Sequence, residues 1–337
     1  MQHKNVIVIG SSAGGVDALQ RLCAALPANL PAAVFIAQHV APAARSMLAH
    51  LLDRVCPLHV TSPVDGQEIE HGHVYVGVPD RHILLRPGHI LMRRGPYENR
   101  TRPAVNALFR SAAVHYGARV IGVVLTGLLD DGTEGLIAIK AAGGTSIVQH
   151  PDDAEWPSMP RNALQRDHVD HALPLAELGA LLGRLVREEA GPSTPLPEEF
   201  HIEDRIAAQE FAVAETEIIT PGSPSRISCP DCGGVLNQIV VQDELRFRCQ
   251  VGHAFTPLGL SVAQNEELER ALGVAVRTHR DRIRLFGQMG DSAKTRGLAH
   301  AEKRWETASQ EAEQFVKVLE EAMTNLRKSG AEAESDA

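Results

Sequence analysis

The chain has no apolar run long enough to cross a bilayer, few aromatics, few cysteines and no excess of positive charge, and each shortage removes a class of function. The start MQHKNVIVIG carries one Lys and a short apolar run that stops at Gly10. That falls well short of a span of about 20 residues or a signal-peptide core, so no membrane insertion and a cytoplasmic location are expected. Two Trp, three Tyr and eight Phe among 337 residues leave the core to aliphatic side chains. A formal net charge of -9 is the opposite of the basic face of a nucleic-acid binder. Only Arg226, Arg246 and Arg248 argue for such a partner, and none is expected. Of the five cysteines, Cys23 and Cys56 stand alone, whereas Cys229, Cys232 and Cys249 cluster. In a reducing compartment that cluster points to metal before disulfide.

What is present divides the chain into two or three parts. Short β-branched runs, "NVIVIG", "AAVFIAQHV", "HVYVGVP", "HILLRPG", "ARVIGVVLTG" and "GGTSIVQ", alternate with stretches of helical apolar spacing such as Val16, Leu19, Leu22, Cys23 and Leu26. Fully apolar strands followed by helices read as βαβ units, predicting a doubly wound, largely parallel α/β domain over residues 1–188. Residues 189–225, rich in Pro and Glu, read as a linker with one short helix. Residues 226–260 hold the cysteine cluster, and 261–328 read as a helical hairpin with its break near "GQMGDS". Leu298, Ala301, Trp305, Ala308, Ala312, Phe315, Leu319, Ala322 and Leu326 form a coiled-coil-like seam, read as closing within the chain rather than between two chains. Residues 329–337 read as a disordered tail.

The turn in "VIVIGSSAGGVDALQRL" lies between a predicted strand and helix. A dinucleotide fingerprint would need Gly at its middle position, because backbone must approach a pyrophosphate there. Ser12 stands there instead, and the turn spells G-x-S-x-G with Gly10 and Gly14. That pattern fits a structural corner as well as an exposed nucleophile. A serine nucleophile needs a base and an orienting carboxylate. His39 ends one predicted strand, and Asp131 follows another. In a parallel sheet these strand ends share one edge with Ser12. The order Ser, His, Asp differs from that of ordinary α/β-hydrolases.

The ordered segments "IGSSAGG", "QHVAP", "YVGVPDRHILL", "TRPAVNALFRSAA", "VIGVVLTGLLDDGTEGL" and "PSMPRNAL" resemble the catalytic domain of the chemotaxis protein-glutamate methylesterase (CheB) family. The resemblance covers about residues 4–188. It implies a serine hydrolase that removes methyl esters from receptor glutamates and deamidates glutamines, with no cofactor for catalysis. It assigns the nucleophile to Ser12 rather than Ser11, the base to His39, and the carboxylate to Asp131 rather than Asp130. Ala13 with Leu128 and Leu129 becomes the oxyanion rim, and Arg102 falls on the substrate side. Three departures stand out: Ala13 replaces a common Thr, Leu128-Leu129 replaces Met-Gly, and Asn106 replaces a more usual Asp. The family's receiver domain is missing ahead of the first strand, so a receiver-type regulator acting in trans is expected. The implied partner is a chemoreceptor cytoplasmic domain or another methylated signalling protein.

Cys229, Cys232, Cys249 and His253 give C-x2-C-x16-C-x3-H, which suits a structural Zn in a ribbon. Since every mapped catalytic group precedes this segment, removal of residues after about 225 is expected to spare hydrolysis of a small ester. The competing functional reading is a signalling adaptor in which the esterase fold, ribbon and helices only dock.

Overall fold

The computed structural model describes residues 3–44, 47–166, 168–210, 221–241 and 244–335, with side chains to Lys328. The chain runs β1 (Val6–Ser11), α1 (Gly15–Ala24), β2 (Ala33–Gln38), α2 (Leu48–Asp53), β3 (His59–Thr61), β4 (His73–Val76), β5 (His82–Arg86), β6 (His89–Arg93), α3 (Val105–Tyr116), β7 (Val120–Val124), α4 (Thr133–Ala141), β8 (Thr145–Gln149), α5 (Ser158–Arg166) and β9 (His171–Leu173). It continues through α6 (Leu175–Leu185), α7 (Glu198–Ala208), β10 (Ser223–Ser228), β11 (Val235–Val241), β12 (Glu244–Cys249), β13 (Ala254–Phe255), α8 (Pro257–Thr295) and α9 (Ala299–Ser335). It forms two compact units, Met1–Leu260 and Ser261–Ala337.

The first unit is built on a seven-stranded sheet of order β3-β4-β2-β1-β7-β8-β9, parallel at every pairing. β1 shows why both faces are covered. Val6 and Val8 enter the core with Leu108 and Phe109 of α3 and Leu136 and Ile139 of α4. Ile7 and Ile9 point the other way, among Leu19 and Leu22 of α1 and Leu178 and Leu182 of α6. A strand with no polar face needs a layer on each side, as the sequence predicts. The order also reverses at β1: the chain lays β2 beside it, then β3 at the sheet edge and β4 between those two, and returns on β1's other side with β7. That crevice at the carboxyl ends of the strands is where open α/β sheets carry their sites.

"HILLRPG" departs from expectation. It forms β5, paired antiparallel with β6 outside the main sheet. The cause is local: Pro87 and Gly88, the latter at φ 79, fit the central positions of a type II turn, too short for a parallel crossover.

The cysteine segment is a four-stranded antiparallel ribbon, β10-β11-β12-β13. It belongs to the first unit and is joined to it by buried charge. Arg110 of α3 pairs with Glu98 at 2.5 Å, and Arg248 of β12 reaches the same carboxylate at 3.3 Å. Glu203 of α7 takes Arg246 at 2.5 Å and Arg248 at 3.2 Å. Burial favours a neutral Glu98, yet the Arg110 and Arg248 guanidinia hold its carboxyl far below the usual range. A cut near 225 would therefore strip buried carboxylates of their partners, so the segment is not the detachable tail expected. Arg246 and Arg248 are 4% and 1% exposed, which leaves them unable to meet a nucleic acid. α7 lies inside the stretch read as linker; residues 211–220 of it lie outside the described residues.

In the second unit α8 and α9 pair along the seam, stacking Phe286 on Trp305 at 5.6 Å and His279 near Phe315 at 5.1 Å. Arg280–Glu320 and Arg327–Glu269 tie the flanks. The break falls at Arg296–Leu298, not at "GQMGDS". Gly287 and Gly290 stay helical, whereas Gly297 adopts φ 68 and Leu298 N–H returns to Ala293 O at 2.9 Å, which closes a helix. α9 continues to Ser335, through most of the stretch read as a disordered tail; residues 336–337 lie outside the described residues.

Candidate active site

Ser12 follows β1 and His39 follows β2, and the parallel register that pairs Ser11 with Gln38 brings the two loops side by side. His39 N–H donates to Ser11 O at 3.0 Å. Gln38 stitches the loops together, its Nε2 donating to Ser12 O at 2.8 Å and His39 O at 2.9 Å. Ser11 turns inward: it is fully buried and donates to Gln38 Oε1 at 2.7 Å. Ser12 is half-buried, and its hydroxyl makes no hydrogen bond among the described residues. A Cβ at Gly15 would meet Gln38 Oε1 at 2.0 Å and Ser11 Cβ at 2.9 Å, so a larger residue there would displace the bonded Ser11–Gln38 pair. Thr126, just past β7, fastens the turn from the other side by accepting Ser12 N–H on its carbonyl at 3.0 Å and donating its hydroxyl to Ala13 O at 3.1 Å.

Asp131 ends the loop after β7 and is 3% exposed. Its Oδ2 accepts from His39 Nε2 at 2.7 Å and from Val105 N–H at 2.7 Å, and its Oδ1 from Asn106 N–H at 3.0 Å. The last two donors are the first turn of α3, where unpaired amides and the helix dipole favour an anion. With Nε2 held by Asp131, Nδ1 is the ring nitrogen that makes no hydrogen bond among the described residues. Asn106 returns the favour to α4: its Oδ1 accepts Gly132 N–H and Gly135 N–H, both at 2.9 Å. Each helix thus has its start capped by a side chain at the other's start, Asn106 from the first turn of α3 and Asp131 from two residues before α4. The Asp-to-Asn departure keeps this cap without a further buried negative charge.

Asp130 points away from His39. It accepts from Thr256 Oγ1 at 2.9 Å, with Arg166 Nη1 at 3.6 Å. Burial pushes its carboxyl up to about 6. Burial likewise pushes Glu134, near Arg246, up to about 8. The Ala13, Leu128 and Leu129 amides donate no hydrogen bond among the described residues, and Leu129 holds a left-handed φ of 63 while Asn162 Nδ2 donates to its carbonyl at 2.9 Å. Arg102 is anchored elsewhere: its Nε donates to Asp80 at 2.9 Å, its Nη1 to Gly95 O at 2.6 Å, and its guanidinium lies 4.0 Å over Tyr97. Gln38 and Thr126 escaped the sequence reading, and Asn106 entered it only as a departure without a role, because nothing marks a buried amide or hydroxyl as a loop fastener until its partners are known.

In the ribbon, Cys229, Cys232, Cys249 and His253 bring one ligand atom each within 4.8 Å of all the others. Cys229 Sγ lies 3.7 Å and Cys249 Sγ 3.6 Å from His253 Nδ1, and Cys232 Sγ 3.6 Å from Cys249 Sγ. A tetrahedron with metal–sulfur bonds of about 2.3 Å and a metal–nitrogen bond of about 2.0 Å has edges of roughly 3.5–3.8 Å. Those three separations match such edges. Gly233 and Gly252, at φ 73 and 101, form the two knuckles.

A family model described as CheB methylesterase matches residues 7–182. Protein-glutamate methylesterase/protein-glutamine glutaminase 5 of Anaeromyxobacter dehalogenans is 38% identical over 188 residues, 55% of this chain and 52% of the relative. A putative protein-glutamate methylesterase/protein-glutamine glutaminase of Leptospira interrogans is 35% identical over 180 residues, 53% of this chain and 93% of the relative. The chain thus spans about half the length of the first and nearly all of the second. The crystal structure of the Thermotoga maritima CheB methylesterase catalytic domain superposes with a TM-score of 0.52 at 33% identity, covering 54% of this chain and 98% of that one. The chain belongs to the CheB methylesterase family.

Proposed function

We propose that this member of the CheB methylesterase family hydrolyses γ-glutamyl methyl esters on a chemoreceptor cytoplasmic domain or another methylated signalling protein, and deamidates glutamine at the same site. The observation that carries the reading is the 2.7 Å bond from His39 Nε2 to Asp131 Oδ2 beside the Ser12 turn. Asp131 fixes the tautomer with the proton on Nε2, so Nδ1 takes the Ser12 proton as Oγ attacks the ester carbonyl. The imidazolium passes that proton to the departing methoxide, and methanol leaves. Water, activated by the same nitrogen, then frees the carboxylate and restores Ser12. For a glutamine side chain the leaving group is ammonia. The unspent Ala13, Leu128 and Leu129 amides are the donors for the oxyanion, each worth about 2.7–4 kcal/mol in comparable sites. Arg102, held by Asp80, shapes the substrate side.

Four protein ligands leave no open position, so the cysteine site is proposed as a structural Zn site holding the two knuckles of the ribbon together. No helix among the described residues is long and apolar enough to cross a membrane, and a cytoplasmic enzyme answering to a receiver-type regulator in trans is proposed. The adaptor reading is not favoured, since the relatives are named as enzymes. The test is methanol release from methylated receptor cytoplasmic fragments by the purified protein. No release by the wild type, under conditions where Thermotoga maritima CheB releases it, would overturn the proposal.

A further inference from the structure

Resting on the esterase reading, we infer that Thr256, at the end of the ribbon, is a positioning residue for the catalytic carboxylate, acting through Asp130. Asp130 and Asp131 share a peptide bond, so whatever moves one carries the other. Asp131 is fixed on one side by the start of α3. On the other side the Thr256 hydroxyl accepts Gly259 N–H at 3.0 Å and spends its single proton on Asp130 Oδ1 at 2.9 Å. Thr256 and Asp130 are each 1% exposed. The other carboxylate oxygen, Oδ2, is buried with no hydrogen-bond partner among the described residues. Among the described residues the Thr256 hydroxyl is therefore the one side-chain hydrogen bond on this buried carboxylate, and it holds Oδ1 while the Arg166 guanidinium stands 3.6 Å from Oδ2.

Thr256 is itself placed by both parts it joins. Its N–H donates to Asn99 Oδ1 at 2.9 Å, and the preceding strand is laced to the same loop by Asn99 N–H to Ala254 O at 2.8 Å and Ala254 N–H to Tyr97 O at 3.1 Å. Three residues before it stands His253. The ribbon thus ends on the loop that bears the triad's carboxylate, and an ångström of drift in such a group can cost a hundredfold in rate.

The test uses the full chain on p-nitrophenyl acetate, with melting curves and labelling of Ser12 by a fluorophosphonate. Thr256→Val keeps the shape and removes the proton. It is expected to lower kcat about tenfold or more with KM within twofold, and to slow labelling in proportion. Thr256→Ser should restore both to within about twofold. A merely structural role would lower the melting temperature without the kcat-against-KM split. Wild-type kcat in a folded Thr256→Val, or a Thr256→Ser as impaired as it, overturns the inference. If Thr256→Val fails to fold, Asn99→Gly carries the test, since glycine suits the left-handed φ of 47 at that position. The same loss of kcat is expected there, and unchanged kcat overturns the inference. A wild type inert toward every ester overturns the esterase reading beneath it.

Discussion

The same substitution at two neighbouring residues should have opposite consequences. Asp131 meets three donors with two oxygens, so Asp131→Asn must turn an NH2 group against a donor. If the NH2 replaces Oδ1 it faces Asn106 N–H. If it replaces Oδ2 it faces Val105 N–H and forces His39 into the tautomer that cannot accept a proton from Ser12. Two hydrogen bonds from backbone to a charged group are weakened, each worth about 1.5–3 kcal/mol, and the analogous change in a serine protease lowers kcat about 10⁴-fold. Turnover of p-nitrophenyl acetate should fall at least about 10³-fold, with a lower melting temperature. Asp130→Asn keeps an oxygen for Thr256 and removes a carboxylate that burial has pushed from 3.8 to about 6. For an acid whose pKa is raised by folding, the folded state holds the proton longer than the unfolded one. The resulting penalty is absent below about pH 4, grows to about pH 6 and is full above it. Two units correspond to at most about 3 kcal/mol, or several degrees in a domain of this size. Melts from pH 4 to 8 should show Asp130→Asn above wild type at neutral pH and level with it near pH 4, with turnover within about tenfold. Equal loss of turnover from the two variants, or an Asp130→Asn that melts below wild type at pH 7.5, would refute the assignment.

Ser12→Ala should abolish ester turnover without changing the melt, while Ser11→Ala should stay active and lose about 1 kcal/mol with its bond to Gln38; assays of both variants separate the two hydroxyls. Cys229→Ser should lower bound zinc, measured by metal analysis of the dialysed protein, and soften the ribbon's backbone against hydrogen exchange. Ending the chain after Leu260 should leave small-ester turnover within about twofold. Ending it at 225 should cost soluble, folded protein, because each unpaired buried charge costs about 3–5 kcal/mol.

The positions of the proposed triad were legible because Ser12, His39 and Asp131 lie in the loops just past strand ends, and apolar runs in a parallel sheet reveal where strands end. The turn "RPGH" between two similar apolar runs was a readable hairpin signal that the parallel expectation overrode. Asn106 shows the opposite case: the sequence marks it as a departure, but its role is unreadable until α3 and α4 meet. The docking of the ribbon could not be read at all, since Glu98 and Arg248 lie 150 residues apart and arginines in a strand look solvated unless their acidic partners are known. Gly287 and Gly290 misled for a simpler reason: glycine permits a helix break without compelling one, and the residue that takes the left-handed conformation after α8 is Gly297.

The charged seam between ribbon and esterase bears on how such a chain can be recombined. An apolar interface accepts many approximate partners, but one made of Arg110, Glu98, Arg248, Glu203 and Arg246 accepts only a complete set. Grafting residues 221–260 onto a relative lacking Glu98 or α7 would bury arginines with nothing to neutralise them. A working chimera must therefore carry the loop at 97–103 and α7 together with the ribbon, and lineages that exchange these pieces should be found to exchange them as one inheritance.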